Sequence, residues 1–126
     1  MGMLPMIGQM AGSPTASAGF LVHLMISAFI GGSFALLLQS LITGTPAGLA
    51  YGAAYGLVWW FLGPLTLMPA MMGMGIGASW NATAAAAMFP SLMGHILYGL
   101  ILGFTYARLA HRSDQVTTRR PASGLA

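Results

Sequence analysis

Apolar residues in this chain do not alternate with polar ones. They gather into three long runs, from about Ala18 to Ile42, Pro46 to Met68 and Pro90 to Ala110. A bilayer core of about 30 Å needs roughly 20 apolar residues at 1.5 Å each, so each run predicts a transmembrane helix. Helix punctuation marks their edges. Thr45-Pro46 reads as an N-cap followed by proline at the first helical position. Phe89-Pro90-Ser91 opens the third run, Pro69 ends or kinks the second, and Pro64 predicts a kink inside it. Thr43-Gly44-Thr45 is a short link, which predicts a tight antiparallel hairpin of spans one and two. The second link, about Ala70 to Phe89, is long and rich in Gly, Met and Ala, with room for a short surface helix near Asn81 to Met88. The expected fold is all-α, an integral membrane bundle of three transmembrane helices.

Composition excludes the alternatives. Of 126 residues, 57% are hydrophobic and 4% charged, whereas soluble domains carry about 25% charged residues. Four arginines and one acid, Asp114, cannot coat a water-facing surface. The net charge of +3 comes from Arg108, Arg112, Arg119 and Arg120 near the C-terminus. That is a basic tail and not the basic face that nucleic acid requires. No cysteine is present, so disulfides, thiolate zinc sites and iron–sulfur clusters are excluded. Positive residues beside a span stay in the cytoplasm, which predicts a cytoplasmic C-terminus, an outer N-terminus and an outer second link in a bacterial or archaeal cytoplasmic membrane. The organisation expected is an outer segment over residues 1–17, a transmembrane domain over 18–110 and a disordered basic tail over 111–126, whose arginines meet anionic headgroups. Residues 1 to 19 hold no charge, so no cleaved secretory signal is expected. Asn81-Ala82-Thr83 matches a glycosylation sequon, a common pattern without further support.

Each span carries small residues at every fourth position. These are Ser27, Gly31 and Ala35 in span one, Gly48, Gly52 and Gly56 in span two, and Gly99, Gly103 and Ala107 in span three. Lipid supplies no hydrophobic drive for helix pairing, so helices associate where small residues let backbones approach. The three series are the expected packing surfaces of the bundle, or in part of an oligomer.

Spans one and three also align without gaps. His23 falls on His95, Gly31 on Gly103, Ser33 on Thr105, Phe34 on Tyr106 and Ala35 on Ala107. Both spans would run in one direction, a parallel repeat of the kind found in transporters. The alignment places both histidines at one depth in the outer leaflet, each facing the packing seam. Residues Tyr55 to Pro69 (YGLVWWFLGPLTLMP) and Ser91 to Gly103 (SLMGHILYGLILG) resemble the YagU-like group of small bacterial and archaeal membrane proteins. The resemblance covers roughly residues 20 to 110 and implies an all-helical inner-membrane protein. It brings no established activity.

An ionisable side chain inside a span is a functional candidate by default. The competing explanation is a neutral histidine bonded to a serine or carbonyl across the seam. The eleven methionines all fall on the expected outer side, none between Ile26 and Leu67 or after Met93. Thioether and imidazole suit Cu(I), so His23 and His95 with Met68, Met71, Met72 and Met74 are candidate ligands of an outward copper site. Methionine as adaptable apolar filler is the simpler account. Paired histidines also suit a tetrapyrrole, with Trp59 and Trp60, placed mid-span, lining its space; close glycine seams leave little room for one. The single carboxylate, Asp114, lies in the tail, which removes paired-carboxylate chemistry and a Ser-His-Asp triad from the spans. Gly73-x-Gly75-x-Gly77 lacks the strand-to-helix setting of a phosphate loop. The expected function is therefore non-enzymatic. It is that of an accessory or scaffolding subunit acting through helix–helix association with itself or another membrane protein, and no cofactor is expected. The alternatives are copper or tetrapyrrole binding and small-solute transport by an oligomer.

Overall fold

The computed structural model describes residues 2–118. The chain forms two compact units, residues 1–39 and the remainder from Ser40. Among the described residues every regular element is a helix.

The first unit holds α1 (Met3–Gln9) and α2 (Ala16–Leu38). Met3, Met6, Ile7 and Met10 follow the i, i+3, i+4, i+7 rhythm of one helix face, a signal for α1 inside the segment expected only as an outer stretch. Gly12 turns the chain at φ +76°. Thr15 then caps α2, its hydroxyl accepting from the Ala18 N–H at 3.3 Å. The two helices meet through glycines. A Cβ on Gly19 would overlap the Leu4 carbonyl, and one on Gly8 would overlap the Ser13 carbonyl. α2 stops at Leu38, short of Ile42, because Gln39 and Ser40 enter a turn. The first link is correspondingly longer than Thr43–Thr45.

The second unit holds α3 (Thr45–Leu62), a π-helical turn (Gly63–Leu67), α4 (Met68–Met71), α5 (Ala82–Ala87) and α6 (Phe89–Thr118). Pro64 has no N–H, and its ring crowds the carbonyl four residues back. The chain accommodates this by widening to i→i−5 bonding, seen where the Met68 N–H reaches the Gly63 carbonyl. The Thr66 hydroxyl donates to the Phe61 carbonyl at 2.8 Å. Widened this way, the helix passes through Pro69 and ends at Met71, just before Gly73 takes φ +80°. Pro69 therefore does not end the second span.

Three helical stretches are long and apolar enough to cross a membrane: Ala16–Leu38, Thr45–Met71 and Phe89–Gln115. The last of these shows that α6 continues past Ala110, so residues 111–118 extend the helix where disorder was expected. Arg108, Arg112 and Gln115 are good helix formers, and the Ser113 hydroxyl bonds back to the Leu109 carbonyl at 3.1 Å. The remainder of the expected tail, including Arg119 and Arg120, lies outside the described residues.

Candidate functional site

Within the second unit, α3 and α6 pair antiparallel along their small residues. A Cβ on Gly52 would overlap the Gly99 carbonyl, and one on Gly99 would overlap that of Gly52. Gly48 and Gly103 are related in the same reciprocal way, and Gly56 faces the His95 carbonyl. A Cβ on Gly48 would also stand 3.0 Å from the Cβ of Ala107, which is 1% exposed. The glycine Cα–H groups thus point at carbonyl oxygens of the opposite helix, contacts worth about 0.5–1 kcal/mol each. Gly48, Gly52 and Gly56 on α3 and Gly99, Gly103 and Ala107 on α6 are brought together along this seam, all inside one chain. Ser27, Gly31 and Ala35 on α2 are half-buried.

The paired region ends at an aromatic collar. Trp60 is buried at the level where α6 begins, its indole N–H donating to the Met88 carbonyl at 3.2 Å. Tyr55 meets Trp59 edge-on with ring centroids 6.1 Å apart. The two tryptophans lie mid-span in Thr45–Met71 and near the end of the pair, because α6 starts only at Phe89 while the second span continues to Met71. The link from Met72 to Met88 folds back along this projecting end. Trp80 packs on Phe61 at 5.4 Å between ring centroids, and its N–H donates to the Thr66 hydroxyl at 3.1 Å. Three glycines shape the descent, with Gly73, Gly75 and Gly77 at φ +80°, +88° and +87°. Their regular spacing provides left-handed turns, a conformation that residues with a Cβ adopt at a cost. Asn81, the sequon residue, caps α5 by accepting from the Ala84 N–H at 2.9 Å.

His95 is half-buried, and its Nδ1 lies 2.8 Å from the Ser91 carbonyl. Nδ1 must donate there, because a carbonyl oxygen only accepts. His23 is exposed on α2. Met68 is half-buried, and Met71, Met72 and Met74 are exposed. Because Gly56 marks the level of His95 on α3, Met68 lies twelve residues further along, about 18 Å at helical rise. The structure does not bring His95 together with the methionine cluster. Among the described residues no group of three or more His, Cys, Asp or Glu is placed to hold a metal.

At the other end of the pair, a Cβ on Gly44 would stand 3.9 Å from His111 Nε2, which sets the start of α3 level with the basic end of α6. There the Arg108 guanidinium lies over the Phe104 ring, 5.0 Å from its centroid.

These features define a small all-α protein with helices built for a bilayer and a glycine-locked helical pair. The chain belongs to a family of unknown function, DUF6789, whose family model matches residues 1–117. The YagU-like resemblance of residues 55–69 and 91–103 gains no support from that match. No curated protein and no solved structure matches the chain.

Proposed function

We propose that this protein is a non-enzymatic membrane subunit that works through association inside the bilayer, with a second copy of itself or with another membrane protein. The observation that supports this is the contrast between its helices. Small residues on α3 and α6 are consumed in their own backbone contact. In the most apolar stretch of α2, only 6% of residues are buried, against 22% along Thr45–Met71 and 17% along α6. Ala28 and Gly32 are both exposed there, and nothing lies within 4 Å of a Cβ placed on Gly32. A small residue four positions from another is how membrane helices bring backbones together, and α1 does not cover this pair within the first unit. The N-terminus lies outside and the basic end of α6 in the cytoplasm, following the arginines. Disulfide trapping between copies carrying Gly32→Cys tests self-association through this face, and co-purified partners test the heteromeric form.

A further inference from the structure

We propose that the C-terminal end of α6 holds one anionic phospholipid by its headgroup phosphate, in the leaflet on that side. The groove concerned is lined by Phe104, Thr105, Arg108, His111, Arg112 and Gln115, together with Leu109. These positions fall at helical spacing along one side of α6. No acid lines the groove, and the chain's single acid, Asp114, is absent from its wall. Arg108 and Arg112 stand four residues apart, a like-charge arrangement that disfavours an isolated helix. An anion between them reverses that sign. Arg108 is held in place over Phe104, so its guanidinium is partly ordered before a ligand arrives.

Depth selects the anion. Arg108 lies nineteen residues beyond Phe89 on α6, about 29 Å along the axis, which matches the thickness of a hydrocarbon core. With Phe89, where its span begins, at one interface, the two arginines reach the other at headgroup level. Phe104, one turn nearer the bilayer centre than Arg108, is set toward the acyl region. Basic pockets at this level bind phosphate-bearing headgroups. The inference rests on the bilayer placement above but not on association.

The test is native mass spectrometry of the full chain released from micelles containing dioleoyl phosphatidylglycerol or dioleoyl phosphatidylcholine. The wild type is expected to retain phosphatidylglycerol preferentially. Arg108→Gln and Arg112→Gln should each weaken that preference about fivefold, the equivalent of about 1 kcal/mol per arginine. The pair Arg119→Gln and Arg120→Gln should leave it within twofold. Equal retention of both lipids by the wild type would overturn the proposal. So would a loss that follows Arg119 and Arg120, which would make the attraction a diffuse property of the tail. Inorganic phosphate bound in lipid-free micelles as tightly, with the same arginine dependence, would replace the lipid by a free phosphate. The same spectra count copies per complex, and circular dichroism confirms the fold of each variant. A lost lipid preference with unchanged copy number therefore contradicts this inference alone, whereas a monomer that still selects phosphatidylglycerol contradicts only the association.

Discussion

Gly52 and Gly99 each occupy the space where the other would need a side chain, and each lies against the other's carbonyl oxygen. The relation is symmetric across two antiparallel helices and repeats at Gly48 and Gly103. Adding one methyl group at Gly52 or Gly99 must push two backbones apart. Overpacking of this kind costs about 1–3 kcal/mol. Gly94, on the same helix as Gly99, has nothing within 4 Å of its Cβ position. Gly94→Ala is therefore expected to be neutral or stabilising, by up to about 1 kcal/mol. Unfolding titrations in mixed micelles, followed by helical ellipticity, separate the two classes. Equal stability of Gly52→Ala and Gly94→Ala would remove the lock.

The link between α4 and α6 is fastened at Thr66, whose hydroxyl donates to Phe61 and accepts from Trp80. Thr66→Val keeps the shape and removes both bonds, a loss of about 1 kcal/mol each where no water replaces them. The expected readout is faster hydrogen exchange over residues 72–81 and altered tryptophan fluorescence, with α3–α6 protection unchanged. Unaltered exchange over those residues would show that the Phe61–Trp80 contact alone fastens the link.

Gly73, Gly75 and Gly77 are turn residues in this account. Replacement of any one by alanine forces a left-handed conformation that costs about 1–2 kcal/mol, and limited proteolysis within 72–80 should accelerate. ATP or GTP, added as a probe for a phosphate-cradling loop, should have no effect on that cleavage. Protection by either nucleotide would restore the phosphate-loop reading.

The histidines carry a spectroscopic prediction. Protein purified from its native membrane is expected to be colourless and to lack stoichiometric copper, since Met68 lies far along the helix from His95. A Soret band, or copper lost on His23→Ala or His95→Ala, would establish a cofactor site instead.

Much of this fold was legible in the sequence because the forces that set it are local. Length and apolar content placed the three spans, and Thr45-Pro46 and Phe89-Pro90 located two helix starts to within a residue. The four-residue spacing of Gly48, Gly52 and Gly56 and of Gly99 and Gly103 is visible in the sequence, and these glycines lie where the α3 and α6 backbones approach. Long-range pairings were not legible. That Trp80 would bond Thr66, or Trp60 the Met88 carbonyl, depends on where α6 begins relative to α3, which no periodicity records. Pro64 announces a disturbance, but not that the chain takes it up as a π turn and runs on to Met71. The short α1 did show its rhythm, in Met3, Met6, Ile7 and Met10, beneath a composition that suggested only a terminal segment. For the candidate site, spacing located His95 but not its bond to Ser91, nor its separation from the methionines.

Orientation rests on the arginines alone and is open to direct labelling. In intact cells, Ser13→Cys should react with an impermeant maleimide and Ser123→Cys should react only after the membrane is opened. The reverse pattern would invert the topology and move the basic groove to the outer leaflet.

The most direct test of the association account counts copies of the protein in native-lipid particles, comparing the wild type with Gly32→Leu and Gly52→Leu. Gly32 has open space around it within the first unit, and Gly52 has none within the second. The account predicts that the wild type carries more than one copy or a stoichiometric partner. Gly32→Leu should release a single, fully helical chain, and Gly52→Leu should lose stability before it changes stoichiometry. A wild type that is solitary in native lipid, or a Gly32→Leu variant whose assembly is unchanged, would contradict it.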